Sequence, residues 1–222
     1  MNRRCVLGVL IAGTLAWQPA AASSGSSTSA RPHVVVRSYH GALVDGTDWQ
    51  GALAAAGELL AGADVDIEWL SCDAREAAAA ACERPLATGE LALRVVDLGT
   101  PPRYLGRLPL GYSLVDARRH VGTLATIYLD RVRWLAWAAG TDVLVLTARA
   151  IAHEIGHLLL GENDHSASGL MRAVWDRDEL RRGRIPDWSF TRGDAAAMRD
   201  ALSVRARRLA AEESSTWAAK WP

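Results

Sequence analysis

The chain has 222 residues, of which 50% are hydrophobic, and its 25 Lys and Arg residues balance 25 Asp and Glu residues. This length and composition are typical of one medium-sized globular domain. They exclude a disordered chain, a collagen-like chain and a disulfide-dense miniprotein. A formal net charge of zero gives no support to a nucleic-acid partner or to an acidic substrate. We therefore expect a single domain with a sizeable apolar core and no nucleic acid among its partners.

The first residues have the pattern of a secretory signal peptide, which we assign to residues 1–22. Two arginines precede the apolar run Val6–Trp17, and Ala20–Ala22 offers a small-residue cleavage site. The run is shorter than the roughly 20 apolar residues that span a bilayer, which favours a cleaved signal over the alternative of a membrane anchor. Residues 23–32 are predicted to be a flexible linker. We expect an exported protein, periplasmic or secreted, with no stable membrane insertion after cleavage.

Cleavage of the signal peptide would remove Cys5 and leave two cysteines, Cys72 and Cys82. In an oxidising compartment we expect these two to form a disulfide. The alternative is a pair of buried thiols.

Strands and helices alternate in the first half of the chain. β-Branched residues predict a strand at Val34–Tyr39. The pair Thr47 and Gln50 resembles a capping box that opens a helix, and Gly62 ends it. The remaining elements of this half are strands at Val65–Leu70, Leu91–Val96, Tyr112–Val115 and Leu124–Leu129, a short helix from Asp73 to Cys82, and an extended loop from Pro101 to Pro109.

Two helices separated by an irregular stretch are predicted in the second half. The first has apolar periodicity from about Asp142 to Leu160 and is expected to be buried on much of its surface. The second begins at Thr191, which resembles an N-cap, and reaches about Leu209. We expect an α+β fold in one domain, residues 33–211, followed by a tail, residues 212–222.

The long helix contains His153-Glu154-Ile155-Gly156-His157, an H-E-x-x-H sequence. Residues four apart lie on one face of a helix, so the two imidazoles can bind the same metal ion, and neutral imidazole suits Zn²⁺. Glu154 is rotated about 100° from His153 around the helix axis, so its carboxylate can reach a water on the metal without being a ligand. The alternative is a pair of histidines hydrogen-bonded to their neighbours.

A third ligand is expected soon after this motif, because a catalytic zinc usually takes three protein ligands and one water. Gly161 lets the chain leave the helix sharply, and His165, which follows it, is our predicted third ligand. Asp164, which is adjacent, and Glu179, in a segment further along the chain, are the alternatives. The other histidines are scattered and are interpreted as ordinary surface or core residues: His33, His40 and His120.

The segment from Ala152 to Gly161, with His165-Ser166 and Gly169-Leu170-Met171 after it, resembles the zinc site of the metzincin metallopeptidases. It is closest to their matrixin-like branch. That family has H-E-x-x-H-x-x-G-x-x-H followed by a Met-turn. Here three residues rather than two separate Gly161 from His157, and three rather than two separate it from His165. The number of residues from His153 to Met171 nevertheless agrees with the matrixin pattern. The resemblance covers about residues 142–171.

The resemblance implies both a fold and a reaction. The fold would be a metzincin-like single domain: a twisted mixed sheet with a strand–helix–strand start, a buried active-site helix and a C-terminal helix. The zinc ligands would be His153, His157 and His165. Glu154 would be the general base and Met171 the methionine beneath the metal.

Residues around the motif are candidates for substrate binding. The resemblance implies an edge strand that pairs with the substrate, for which Leu124–Leu129 is the candidate; an ordinary structural strand is the alternative. Arg172 is a candidate oxyanion donor, although it also fits a surface arginine. Four tryptophans form either a subsite wall or, as we prefer, part of the core: Trp134, Trp137, Trp175 and Trp188. A run of arginines is interpreted as an exposed loop: Arg181, Arg182 and Arg184.

Three functional hypotheses follow. The first is an exported, monomeric zinc endopeptidase that hydrolyses peptide or protein substrates with zinc-activated water and Glu154 as general base. The second is a catalytically weak or inactive zinc-binding domain that recognises peptides or a surface partner. The ligand loop, from His157 to His165, is two residues longer than in the family pattern and could close the fourth zinc position. The third, a structural domain without metal, requires the whole window from His153 to Met171 to be coincidence.

Overall fold

A computed structural model of the chain describes residues 31–73, 79–100 and 108–220. The predicted signal peptide, most of the linker and part of the proline-containing loop lie outside these ranges. The described residues form a five-stranded, mostly parallel sheet, six α-helices and one short 3₁₀-helix. The fold is therefore mixed α and β, in agreement with the predicted class.

The sheet contains every strand that the residue patterns predict, with ends shifted by a few residues. The strands are β1 (His33–Tyr39), β2 (Asp66–Ser71), β3 (Leu91–Val96), β4 (Gly111–Asp116) and β5 (Val121–Tyr128). Their spatial order is β2-β1-β3-β5-β4. All neighbouring strands are parallel except β4, which runs antiparallel to β5.

The predicted edge strand, Leu124–Leu129, is not at an edge. It lies mostly in β5, which pairs with β3 on one side and with β4 on the other. A short turn joins β4 to β5 as a hairpin, and this connection puts β4 on the outside of the sheet. The prediction was wrong because the order of strands depends on contacts between distant segments, which the local pattern of β5 does not report.

The helices pack around this sheet. They are α1 (Gly46–Ala61), α2 (Ala79–Glu83), α3 (Leu129–Ala139), α4 (Val143–Leu160), α5 (Arg177–Arg182) and α6 (Arg192–Lys220), with the 3₁₀-helix at Ile185–Trp188. Helix α1 ends at Gly62 as predicted, but its N-cap is Asp45, whose carboxylate accepts the amide of Thr47. An aspartate two residues upstream therefore takes the capping role that we expected at Thr47. Helix α2 coincides with the end of the predicted Asp73–Cys82 helix, of which residues 74–78 lie outside the described ranges.

Helix α4 is the central helix of the core. Asp142 caps its start by accepting the amides of Leu144 and Val145, and Gly161 ends it in the left-handed conformation. By length and composition α4 could cross a membrane, but 72% of it is buried inside the protein, as in the core helix of a globular domain. Strand β5 crosses it so closely that a Cβ on Gly122 would lie 2.4 Å from the Cα of Leu158. This close crossing fixes the helix on the sheet.

Two helices were not predicted. Helix α3 follows β5 directly and buries Leu129, Val132 and Ala136, and Gly140 ends it in the left-handed conformation. Helix α5 occupies part of the stretch that we expected to be irregular. It is opened by a capping box in which Asp176 and Glu179 each accept the other's main-chain amide.

The last helix is longer than predicted. Helix α6 continues past Leu209 to Lys220, so residues 212–220 are helical and not a tail without regular structure. Ala and Glu are frequent in this segment, and it contains no Gly or Pro before Pro222. Strong helix formers without a breaker let the helix run on.

The predicted disulfide between Cys72 and Cys82 is confirmed, with a Cα–Cα distance of 5.6 Å. Cys72 directly follows β2 and Cys82 lies in α2. The bond therefore ties α2 to the end of the sheet at which β2 ends.

Candidate metal centre

His153 and His157 are buried on one face of α4, and their ring orientations are set by main-chain carbonyls. The Nδ1 of His153 lies 2.9 Å from the carbonyl oxygen of Leu170, and the Nδ1 of His157 lies 3.0 Å from that of Glu162. Because a carbonyl can only accept, each Nδ1 carries the proton and donates it. In the neutral rings, both Nε2 atoms are then bare acceptors, and they face each other at 3.1 Å.

This arrangement could hold a cation between the two rings. Two unprotonated nitrogens at that distance present lone pairs to each other and repel. Burial, opposed by the main-chain hydrogen bonds, lowers the pKa of both His153 and His157 to about 4, so a proton is disfavoured there near neutral pH. A metal ion would satisfy both nitrogens.

His165 completes the cluster from the loop after α4. Its ring centroid lies 5.4 Å from that of His153 and 4.8 Å from that of His157, and its side chain is exposed. One ligand atom from each of the three histidines lies within 4.8 Å of the other two. The structure thus brings together the three residues predicted as ligands, and this group could hold a metal ion.

The alternative third ligands do not join this group. Glu179 binds Arg172 at 2.7 Å and caps α5 through the amide of Asp176. Asp164 is exposed, and it affects His157 only by raising its pKa slightly against the larger effect of burial. In the described part of the chain, the three histidines form the one cluster of metal-ligating side chains, and His33, His40 and His120 stand apart from it.

The start of the ligand loop depends on Gly161. Its φ is +71°, and a Cβ there would lie 2.5 Å from the main-chain carbonyl of His120. Only glycine avoids both the strain and the clash. The chain can therefore turn back after α4 close to the hairpin between β4 and β5.

The end of the loop is anchored by Asp194, which lies in the first turn of α6. The carboxylate of Asp194 accepts the hydroxyl of Ser166 at 2.5 Å and the main-chain amide of Thr191 at 2.9 Å. The amide of Ser166 also donates to the carbonyl of Met171 at 2.9 Å. The residue that follows His165 is thus fixed to the start of α6 and to Met171.

Met171 is fully buried and packs against α4 at Gly156. A Cβ on Gly156 would lie 2.6 Å from the Sδ of Met171 and 3.0 Å from the ring of Phe190. The glycine inside the H-E-x-x-H sequence therefore makes room for the methionine, which lies against the helix at this position.

Glu154 is buried beneath the edge strand β4. The hydroxyl of Ser113 lies 2.6 Å from its Oε2 and 2.8 Å from its main-chain oxygen. A Cβ on Gly111 would lie 2.5 Å from its Oε1. Burial raises the pKa of Glu154 to about 7, against the opposing effect of the Ser113 hydrogen bond. Sequence reasoning missed Ser113, although the alternation of β4 places it on the same face as Gly111.

Arg172 lines the cavity beside the cluster, and its side chain is held by the segments around it. Its guanidinium donates to the carbonyl of Gly169 at 2.9 Å, to Glu179 at 2.7 Å and to the carbonyl of Asp187 at 3.4 Å. These bonds engage all three nitrogens of the group. Arg172 therefore connects the segment around Met171 to α5 and the 3₁₀-helix.

A cavity of about 630 Å³ opens beside the cluster and is lined by all three histidines and by Glu154. Strand β4 forms one wall of the cavity, and a second, apolar wall is formed by Trp134, Leu135, Val174 and Trp175.

Of the four tryptophans, Trp188 is the one buried in the core, while Trp137 is 80% exposed. The core interpretation is therefore confirmed for Trp188, while Trp134 and Trp175 line the cavity and Trp175 also packs against the core. The arginines 181, 182 and 184 are exposed, as expected, but the first two lie on α5.

The cluster combines three imidazoles that could hold a metal ion with a buried carboxylate on the wall of the same cavity. Such a set can bind a cation and place a base beside it. No family model and no curated protein sequence matches this chain.

Proposed function

We propose that the chain is an exported, zinc-dependent endopeptidase with a metzincin-like fold. The observation that carries this proposal is the pair of bare Nε2 atoms of His153 and His157, 3.1 Å apart, with both Nδ1 protons donated to carbonyls. His165 lies beside this pair, and Glu154 lines the same cavity.

The donor set fits zinc. Zn–N bonds of about 2.0–2.1 Å in a tetrahedral site separate two ligand nitrogens by roughly 3.3 Å. The separation of 3.1 Å between His153 and His157 is close to this value. Neutral nitrogen donors suit Zn²⁺ better than Mg²⁺ or Ca²⁺, which prefer oxygen. Three protein ligands leave one position for water or substrate, as in catalytic zinc sites.

The surrounding residues fit peptide hydrolysis. A zinc ion held by the histidines would act as a Lewis acid toward water and the peptide carbonyl. Glu154, which lines the same cavity, would accept the proton of the attacking water and deliver it to the leaving amine. In the part of the chain that the structure describes, the outer edge of β4 has no strand partner, so an extended peptide can pair with it.

Several features support the metzincin resemblance beyond the motif itself. The described residues begin with a strand, a helix and a second strand; the two strands pair in parallel, and the helix that carries the H-E-x-x-H sequence is buried. Met171 lies against the glycine of that sequence, and a long helix is the last described element.

The alternative hypothesis, a zinc domain without activity, requires the longer ligand loop to close the fourth metal position. All three histidines and Glu154 line an open cavity of about 630 Å³, which favours access for a substrate. Inhibition by acetohydroxamate, a small zinc chelator, would argue further against a closed site.

Glu154→Gln tests this proposal. In the exported protein we expect the variant to retain zinc, measured by mass spectrometry, and to lose hydrolysis of fluorescein-labelled casein by roughly 10²- to 10⁴-fold. Glu162→Gln is the matched control, because its side chain lies in the adjacent loop and only its main-chain carbonyl contacts the site. Hydrolysis by Glu154→Gln at the wild-type rate would show that the proposed mechanism is wrong.

A further inference from the structure

Ser113 connects the edge strand to the proposed base. It lies on the inward face of β4, is buried, and is 41 residues away from Glu154 in sequence. Its Oγ is 2.6 Å from the Oε2 of Glu154 and 2.8 Å from the main-chain oxygen of the same residue. One hydroxyl therefore contacts both the side chain and the backbone of Glu154.

Because a hydroxyl can both donate and accept, Ser113 can bind the Glu154 carboxyl whether that carboxyl is ionised or protonated. A serine hydroxyl has one proton to donate and lone pairs to accept with. Toward a carboxylate, Ser113 donates to Oε2. When the carboxyl is protonated on Oε2, the Ser113 hydroxyl accepts a hydrogen bond from that O–H and donates its own hydrogen bond to the main-chain oxygen of Glu154. In both cases Oε2 remains bound to β4.

The other carboxylate oxygen is enclosed by the same strand. A Cβ on Gly111 would lie 2.5 Å from Oε1, so the absence of a side chain at position 111 provides the space that Oε1 occupies. Ser113 and Gly111 are two residues apart in β4 and face the same side. The strand therefore holds Oε2 by a hydrogen bond, while Oε1 has no hydrogen-bond partner among the described residues.

We propose that Ser113 is a positioning residue for the base: it ties Oε2 of Glu154 to β4 and leaves Oε1 as the oxygen that takes the proton from water. This inference rests on the function proposed above. Its consequence is that a single strand orients both the base and the main chain of a peptide that pairs with its edge. A base held in its reactive orientation lowers the barrier, while substrate affinity is unaffected.

Ser38 provides a matched control for Ser113. It is a buried serine of β1 in the same sheet, and its hydroxyl has no hydrogen-bond partner within the described residues. Ser38→Ala and Ser113→Ala thus remove the same group from similar surroundings, and only the second removes a contact with Glu154. Ser113→Thr keeps the hydroxyl and is the conservative variant.

The test measures kcat and KM of the zinc-loaded, exported protein on a quenched fluorescent peptide from its casein cleavage site. We expect Ser113→Ala to lower kcat roughly 10- to 100-fold with KM and zinc content within about twofold of wild type. Ser113→Thr should recover most of kcat, and Ser38→Ala should leave both constants unchanged. A kcat for Ser113→Ala within twofold of that for Ser38→Ala would overturn the proposal.

A second measurement does not depend on activity. Urea unfolding of the metal-free wild type, Ser113→Ala, Glu154→Ala and the double variant forms a double-mutant cycle. We expect non-additive shifts in the midpoint, because either single variant already breaks the contact; additive shifts would overturn the proposal. If the wild type cleaved no casein, the proposed function would fail while this cycle still decided whether Ser113 holds Glu154.

Discussion

Burial controls protonation at the individual residues of the site, and it acts in opposite directions on its two kinds of group. It lowers the pKa of His153 and His157 to about 4 and raises that of Glu154 to about 7. Around pH 6 the imidazoles of His153 and His157 are therefore neutral in the metal-free protein, and the carboxyl of Glu154 is protonated. This is the state in which the imidazole nitrogens are free to bind a cation.

These shifts predict a pH dependence of stability in the metal-free protein. The two histidines take up protons near pH 6.5 when unfolded but only near pH 4 when folded, so acid in that range lowers the free energy of unfolding. Glu154 opposes this effect, because its folded pKa of about 7 exceeds its ordinary value of 4.5 and acid favours the folded state. Removing Glu154 should therefore leave the histidine effect unopposed.

We expect metal-free Glu154→Gln to lose more stability than the wild type between pH 6.5 and pH 4.5, which spans the two ordinary pKa values. Urea unfolding at several pH values measures this difference. Other titrating groups are common to both proteins, so their effects cancel in the comparison. Parallel curves for the two proteins would contradict the assignment of opposite shifts.

Among the elements, those with a strong local signal were predictable from sequence. The sequence marks the start of helix α4 by Asp142 and its end by Gly161, and the two histidines of the H-E-x-x-H sequence are four residues apart within it. Helix α3 was missed, although Leu129, Val132 and Ala136 have helical spacing, because its first residue was assigned to the preceding strand. The position of β4 at the edge was also missed, since strand order depends on long-range pairing.

At Gly156 of helix α4, the effect of a substitution on helix propensity and its effect on packing have opposite signs and can be compared. Replacing a glycine by alanine in a helix interior normally stabilises by about 0.5–1 kcal/mol. At Gly156 the new methyl would collide with Met171, and overpacking of this kind costs about 1–3 kcal/mol. We expect Gly156→Ala to lower the thermal midpoint of the protein and to weaken zinc binding.

Gly51→Ala in α1 is the control, because position 51 is exposed and a Cβ there meets nothing within 4 Å. This variant should raise the thermal midpoint slightly. If both variants shifted the midpoint in the same direction, the packing of Met171 against Gly156 would not have the role described here.

For the whole molecule, the site forms where three distant segments meet: strand β4, helix α4 and the chain after Met171. The cluster of three histidines could be predicted from the sequence, since all three fall in one short window, and Glu154 was selected by its place in the motif. The sequence could not predict Ser113, Gly111 or the anchor at Asp194, because their roles depend on contacts across 28 to 43 residues of sequence. The cavity wall likewise joins Trp134 of α3 to Trp175.

The apolar wall predicts a preference among substrates. We expect peptides with a large apolar side chain next to the cleaved bond to be hydrolysed faster than those with alanine there, because that side chain can be buried against Trp134 and Trp175. Trp134→Ala should reduce this preference by roughly tenfold, as expected for the loss of about 1–2 kcal/mol of contact. Kinetics on paired peptides measure the ratio.

Trp137→Ala is the control for this comparison, since Trp137 belongs to the same helix, is 80% exposed and does not line the cavity. It should leave the preference unchanged. An equal effect of the two substitutions would mean that the wall does not contact the substrate.

A metal site built from three histidines is tested most directly by the zinc content of the purified protein. We predict about one zinc per chain in the wild type, much weaker retention in His165→Ala, and unchanged retention in Asp164→Asn. Equal retention by His165→Ala and the wild type would move the third ligand to another residue. A wild-type protein that holds no zinc even after the metal is added back would contradict the account.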